Sequence, residues 1–123
     1  MDKKQLFSDR RATYRFKISG AQVEYKIKRG GSARVPLIDM SRNSVRFQVK
    51  HDVHPGYIVE LYIIIPGKNK IAVRGDIISV TNTKAPHYAV VQFFPFGTDK
   101  RYNSLQCWEQ LKNVEQEYLY KIE

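Results

Sequence analysis

Three arginines lie close together near the amino terminus, in the segment 10–15 (RRATYR). Each guanidinium group is permanently charged and offers paired N–H donors whose geometry matches phosphate oxygens. Guanidinium planes also stack on nucleobases. Arg10, Arg11 and Arg15 are therefore candidates for binding an anionic ligand that carries phosphates and bases.

A second polar segment, residues 39–44 (DMSRNS), lies between two strand-like runs. One interpretation is a hairpin turn that begins at Asp39, since Asp, Asn and Ser are favoured in turns. The functional interpretation is that the Asp39 carboxylate accepts hydrogen bonds from the N1–H and exocyclic amine of a guanine. The Ser41 hydroxyl could then meet a phosphate or a base. The residues alone leave both interpretations open.

Familiar catalytic motifs are absent from the sequence, which contains no G-x-S-x-G, no H-E-x-x-H and no G-x-x-x-x-G-K-[ST]. His51 and His54 are the nearest approach to a metal-binding pair. No cysteine accompanies them and a Pro-Gly turn follows, so we interpret them as solvated loop residues. Cys107 is interpreted as a packing residue rather than a nucleophile. We predict no enzymatic activity, no metal site and no cofactor.

The net charge of +9 is concentrated near the amino terminus. Residues 1–34 hold ten basic and three acidic side chains, a balance of 10 − 3 = +7. Such a basic patch indicates an anionic partner, which could be a nucleotide, a nucleic acid or an acidic membrane surface. Charge alone does not choose among them, and a surface that merely promotes solubility is the alternative.

Apolar residues in the middle of the chain recur with a period of two, as in half-buried strands. In the clearest case, Val45, Phe47 and Val49 alternate with polar neighbours. Gly-Gly and Pro-Gly pairs separate the runs, as expected for turns. The predicted strands lie near residues 21–27, 33–40, 45–49, 59–65, 71–73 and 89–93. Six short strands with such turns indicate an all-β antiparallel barrel or sandwich.

The last quarter of the chain changes to a spacing of three or four between apolar residues, from Tyr102 to Ile122. This pattern predicts an amphipathic C-terminal α-helix over about 98–121, with Thr98 as a possible N-cap. We expect the helix to cover an open end or edge of the sheet, because an uncovered edge promotes aggregation. A partner-binding helix is the alternative.

At 123 residues the chain has room for one domain. We divide it into a flexible basic arm, residues 1–15, and a single domain, residues 16–123. No apolar stretch is long enough for a membrane span, and the first residues lack the apolar core of a secretory signal. The single cysteine excludes an internal disulfide, which fits the reducing cytoplasm.

The order and spacing of the two polar segments resemble the PilZ family, whose pattern is R-x-x-x-R followed by [D/N]-x-S-x-x-G. Arg11 and Arg15 match the arginine pair, and Asp39 and Ser41 match the second motif. Between Arg15 and Asp39 lie 23 residues, enough for one strand and a turn back. The strand number and closing helix are also similar, so the resemblance covers nearly the whole chain. It implies a six-stranded antiparallel PilZ-like β-barrel with a C-terminal α-helix.

The resemblance also implies a function, that of a bacterial receptor for the second messenger cyclic di-GMP (c-di-GMP). It assigns Arg11 and Arg15 to phosphates and guanine faces, Asp39 to a guanine edge, and Ser41 to its support. Ligand binding is expected to order the amino-terminal arm across the barrel and to signal to an unidentified protein partner. In the family, an arginine at the position of Arg10 accompanies binding of an intercalated pair of c-di-GMP molecules.

One motif position departs from the family, since Ser44 stands where the second motif has glycine. If that position needs a positive φ, serine there costs about 1–2 kcal/mol. If glycine serves close approach of the ligand, the added side chain obstructs it. Ser44 is kept in the candidate site for this reason.

Two other functions remain as alternatives. One is a degenerate PilZ adaptor that has lost its ligand and binds only protein. The other is an RNA- or single-strand-binding barrel, which the charge and the 12% aromatic content would suit. Core-like positions of aromatics such as Phe47 and Phe93 disfavour the nucleic-acid interpretation.

Overall fold

The computed structural model describes residues 14–28, 30–81 and 86–119. In chain order these form β1 (Gln22–Ile27), β2 (Gly31–Met40), β3 (Ser44–Val49), β4 (Ile58–Ile64), β5 (Ile71–Val80), β6 (His87–Phe93) and a helix, α1 (Leu105–Leu119). Each strand lies within two residues of a predicted one at its start, because alternation of apolar and polar side chains marks a half-buried strand directly.

The six strands close into a barrel in the order β1-β2-β3-β6-β5-β4, with β4 pairing back onto β1. Every neighbouring pair is antiparallel. The expected six-stranded antiparallel barrel with one C-terminal helix is therefore confirmed, and the sandwich alternative is wrong.

The barrel interior is filled by the inward-facing side chains of all six strands, and Val23, Val45, Ile63, Ala89 and Val91 are completely inaccessible to solvent. The residues that alternate with them along each strand point outward, as the period of two requires. Burial of these aliphatic side chains provides the main stabilisation of the fold, at about 25 cal/mol per Å² of apolar surface.

The Pro-Gly pairs form the tight turns that the sequence predicts. Gly56 has a φ of 96° and Gly67 a φ of 78°. In each turn the amide two residues after the proline donates to the carbonyl of the residue before it: Tyr57 to His54 and Lys68 to Ile65. A proline followed by a positive-φ glycine is the pattern of a type II turn.

The helix begins later than predicted. Residues 98–104 are not helical, and the N-cap is Ser104, whose Oγ accepts a hydrogen bond from the Cys107 N–H at 3.0 Å. Thr98 is therefore not the cap. The preceding loop is held by β5, because Asn103 Nδ2 donates to the carbonyl of Arg74 at 2.9 Å. Residues 120–123, the predicted end of the helix, lie outside the described residues.

Helix α1 lies across one end of the barrel, burying Cys107, Leu111 and Val114. Its residues contact two connections at that end: Glu117 pairs with Lys68 of the β4–β5 connection at 2.6 Å, and Glu115 with Arg42 of the β2–β3 connection at 3.7 Å. This position bears out the expectation that the helix covers an open end.

Candidate functional site

A β-bulge places Asp39 on the outside of the barrel. Leu37 pairs with Phe47, but the next pair is Asp39 with Arg46, so that Ile38 is an extra residue in β2. A bulge of this kind re-aims the side chains that follow it. Met40 consequently returns to the interior opposite Val45, and Asp39 shares the outer face with Arg46.

Arg15 reaches Asp39 because the chain before β1 pairs with the end of β2. The Phe16 N–H donates to the Met40 carbonyl at 2.8 Å, and the Met40 N–H donates to the Phe16 carbonyl at 3.0 Å. Phe16 itself is buried in the core. This reciprocal pair fixes the backbone beside Arg15, whose Nε donates to Asp39 Oδ1 at 2.7 Å.

Asp39 is held between two cations. Arg15 Nη2 lies 2.7 Å from Oδ1, and Arg46 Nη2 donates to Oδ2. The Asp39 side chain is only 9% exposed, whereas those of Arg15 and Arg46 are 40% and 45% exposed. The carboxylate therefore orients two guanidinium groups that still present N–H donors to solvent, an arrangement suited to binding an anion.

Ser41 and Ser44 close the turn between β2 and β3. The Ser41 N–H donates to the Ser44 carbonyl at 2.8 Å, and the buried Ser41 Oγ accepts hydrogen bonds from the N–H groups of Asn43 and Ser44 at 3.1 and 3.2 Å. This is the local side-chain-to-backbone bonding that favours serine in turns. Within the chain, Ser41 therefore shapes the turn that carries Asp39 and Ser44.

The chain matches the PilZ domain family over residues 9–108. It belongs to that family. The matched region includes both motifs, the complete barrel and the first turn of α1.

Three solved structures share this fold at low sequence identity. The PilZ domain of YcgR from Escherichia coli, solved with c-di-GMP, has a TM-score of 0.71 at 12% identity, covering 93% of this chain and 95% of that one. The K. pneumonia MrkH–c-di-GMP complex has a TM-score of 0.72 at 11% identity. The Bacillus subtilis inhibitor of motility (MotI/DgrA) has a TM-score of 0.59 at 14% identity, covering 85% of this chain.

The chain spans about half the length of two of these proteins, 54% of MrkH and 53% of MotI/DgrA. A comparison with curated protein sequences finds no match. The structural likenesses therefore establish the PilZ fold, and the site of this PilZ domain is argued from its own residues.

Ser44, at the glycine position of the second PilZ motif, has no strained backbone. It is the first residue of β3, and no non-glycine residue in the described part of the chain has a positive φ. The strain considered from the sequence does not arise, because this position is extended. Instead the Ser44 hydroxyl accepts a hydrogen bond from Arg15 Nη1 at 2.6 Å and lies 3.4 Å from Ser41 Oγ.

Arg46 is the site residue that sequence reasoning missed. Its alternation with Val45 and Phe47 predicts only an outward-facing strand residue. Its approach to Asp39 depends on the register of β2 with β3, which the bulge changes by one residue. The residues of β2 that pack in the interior are two positions apart from Val35 to Leu37 but three from Leu37 to Met40, and the sequence hides this change because the extra residue, Ile38, is itself apolar.

The structure brings together Arg15, Asp39, Ser41 and Ser44 of the predicted site. Arg10 and Arg11 lie outside the described residues, as do residues 1–13 of the predicted arm. Tyr14 and Arg15 are described, and Arg15 is attached to the barrel by the contacts above.

The other side chains that could bind a metal or act as a nucleophile are already bonded, isolated from one another, or buried. His51 Nδ1 lies 2.6 Å from the Tyr25 hydroxyl, and His54 pairs with Asp52 at 3.7 Å. Across residues 14–28, 30–81 and 86–119, no group of three or more His, Cys, Asp or Glu side chains could hold a metal ion. Burial raises the pKa of the Cys107 thiol to about 11, so at neutral pH it is protonated and unreactive.

A cleft of about 820 Å³ lies away from the Asp39 site, on β1, β4 and β5. Lys26, Lys28, Arg101 and Tyr102 are among its lining residues. None of its lining residues belongs to the Asp39 site. In the closed barrel, β5 and β4 lie opposite β2 and β3. Of the helices that the structure describes, none is long and apolar enough to cross a membrane.

Proposed function

We propose that this PilZ domain is a c-di-GMP receptor whose ligand binds at the outer face of β2 and β3 beside Asp39. The observation that carries the proposal is the placement of Asp39 between Arg15 and Arg46, with both guanidinium groups still partly exposed. The ligand is a dianion with two guanine bases, so its receptor needs cationic groups for phosphate and an acceptor for guanine N–H groups.

The proposed roles follow from this arrangement. Arg15, with Arg11, binds phosphate and stacks on guanine, because a guanidinium group provides both donors and a planar face. Asp39 accepts hydrogen bonds from a guanine edge, while Ser41 maintains the turn that presents it. Arg46 is added as a second cation beside Asp39.

Two further features belong to the proposal. Ligand binding orders residues 1–15 across the barrel, and the ordered arm signals to a downstream protein. Arg10 recruits a second ligand molecule, which gives a stoichiometry of two. The first is supported by the position of Arg15, which joins the arm to the barrel next to the Asp39 site, and the second rests on the resemblance of Arg10 to the family pattern.

Isothermal titration calorimetry with c-di-GMP tests the proposal. We expect a dissociation constant between submicromolar and about 10 µM, or about −7 to −9 kcal/mol. GTP and a short single-stranded RNA serve as competitors of similar chemistry. Binding of the RNA but not of c-di-GMP would favour the nucleic-acid barrel, and binding of neither would favour a PilZ adaptor without ligand.

Exposed aromatic residues give the nucleic-acid alternative little structural support. Tyr14, Tyr62 and Tyr102 are 60%, 46% and 40% exposed, but they do not form one series: Tyr14 precedes β1, Tyr62 lies on β4, which is separated from β2 by β1, and Tyr102 lies in the loop before α1. Phe47 and Phe93 are buried. A stacking platform for single strands needs successive exposed aromatics along one basic groove.

A further inference from the structure

The turn that carries the proposed ligand site has a second attachment, through Arg42, to helix α1. Arg42 Nη1 lies 3.7 Å from Glu115 Oε1, and its guanidinium carbon lies 5.5 Å from the centre of the Trp108 ring. The Arg42 side chain is 20% exposed. An ion pair and a cation–π contact therefore join the turn to the helix in a partly desolvated setting, where both are stronger than in water.

Trp108 and Glu115 lie on one face of the helix, because seven residues correspond to about two turns. Glu115 is buried, and its Oε2 has no hydrogen-bond partner among the residues that the structure describes. A buried carboxylate depends strongly on the cation that pairs with it. The position of Arg42 and the packing of this part of the helix are thus energetically linked.

The opposite side of the same turn is the Asp39 site. The turn from Ser41 to Ser44 is closed by a backbone hydrogen bond of 2.8 Å. The Asn43 carbonyl in this turn also accepts a hydrogen bond from the Phe93 N–H at 2.8 Å. Ser44 contacts Arg15. Because only four residues form this bonded turn, a shift of Ser44 also shifts Arg42.

We propose that Arg42 is a positioning residue for the c-di-GMP site, which couples ligand binding at Asp39 to the packing of helix α1 through Trp108 and Glu115. The inference rests on the proposed function. Coupling of this kind is reciprocal, so ligand binding alters the environment of Trp108, and a change at Glu115 alters the affinity for ligand.

Trp108 reports on the coupling directly, since it is the single tryptophan of the chain. Titration of the intact protein with c-di-GMP should shift its fluorescence emission, with the same midpoint as the calorimetric titration. Arg42→Lys retains the cation and should preserve the shift, whereas Arg42→Met should abolish it.

A double-mutant cycle on affinity separates coupling from general destabilisation. Glu115→Gln preserves the shape of the side chain and should change the dissociation constant by about three- to tenfold. In an Arg42→Met background the same substitution should have no effect. Glu109→Gln is the matched control, because Glu109 is on the same helix but pairs with Lys112 at 3.2 Å. Thermal unfolding of every variant verifies the fold.

The outcomes are distinguishable. Calorimetric binding with an unchanged Trp108 spectrum and additive effects of Arg42→Met and Glu115→Gln would overturn the coupling and leave the proposed function intact. Absence of calorimetric binding by the native protein would overturn the proposed function and this inference with it. Binding with a spectral shift and a non-additive cycle supports both.

Discussion

Arg15 and Asp39 are 24 positions apart in sequence, yet Arg15 Nε donates to Asp39 Oδ1 over 2.7 Å. The contact joins the segment before the barrel to the end of β2, and so joins the two PilZ motifs to each other. One residue of each motif is therefore in contact with a residue of the other motif before any ligand is bound.

Arg15→Ala and Asp39→Ala should each weaken c-di-GMP binding by about 1.5–3 kcal/mol, the usual scale for hydrogen bonds that involve a charged group. Calorimetric titration measures the change. Arg34→Ala is the matched control, since Arg34 is an exposed arginine of β2 that pairs with Glu24 at 3.5 Å. Full affinity in both site variants would contradict the assignment of the site without affecting the fold.

Arg46→Ala should weaken binding by about 1–2 kcal/mol, because it removes an exposed cation and one of the two groups that orient Asp39. Lys50→Ala, an outward-facing residue just after β3, removes the same charge at a greater distance and serves as the comparison. Equal losses in the two variants would mean that Arg46 contributes only to the general positive potential.

Ser44→Gly and Ser44→Ala should each tighten binding by about 0.5–1.5 kcal/mol, the scale of one hydrogen bond. The reason is competition: a ligand phosphate that binds Arg15 must displace the Ser44 hydroxyl from Nη1. Tighter binding by Ser44→Gly but not by Ser44→Ala would mean that the space occupied by the side chain, and not the hydroxyl, weakens ligand binding. A loss in both would show that the hydroxyl positions Arg15 for the ligand.

Amide hydrogen exchange over residues 1–15 should slow when c-di-GMP is added, as the proposed ordering of the arm requires. Mass spectrometry of peptic fragments follows this segment separately from the barrel strands, which serve as the internal reference. Equal protection with and without ligand would contradict the proposed ordering of the arm and give the arginines a structural role.

Cys107 should react slowly with a disulfide reagent in the native protein. With a thiol pKa of about 11, only about one molecule in a thousand is thiolate at pH 8, against about a quarter for an unperturbed thiol. The native rate should therefore continue to increase with pH above 9, where that of the unfolded chain levels off. Because the folded thiol retains its proton more tightly, the free energy of unfolding should also decrease as pH rises from about 9 towards 11.

The strands were predictable because each places apolar side chains alternately inward, so the sequence carries the burial pattern of the barrel directly. The start of the helix could not be predicted from its spacing. Tyr102 continues the helical spacing but belongs to a loop whose backbone is bonded to Arg74: the carbonyls of Lys100 and Tyr102 both accept hydrogen bonds from Arg74 Nη2. Such long-range contacts overrule a local periodicity.

The motifs name Arg15, Asp39 and Ser41, and the structure places these residues together, while their role in ligand binding stays a prediction. The geometry around them was not predictable. The pairing of Asp39 with Arg46 depends on a single bulged residue, Ile38, and the extended backbone of Ser44 follows from its position at the start of β3. Register and bulges are set by the packing of two strands together, which neither strand's sequence contains alone.

Closure of the barrel through β1 and β4 restricts where the molecule can yield when an anion arrives. Each of the six strands is hydrogen-bonded on both sides, so none can slide without breaking two ladders at once. The turn from Ser41 to Ser44 lies at the end of the β2–β3 ladder and contacts helix α1 through Arg42 and Glu115. Under the proposed function, we therefore expect ligand binding to move this turn and the helix rather than to slide the strands that carry Asp39 and Arg46.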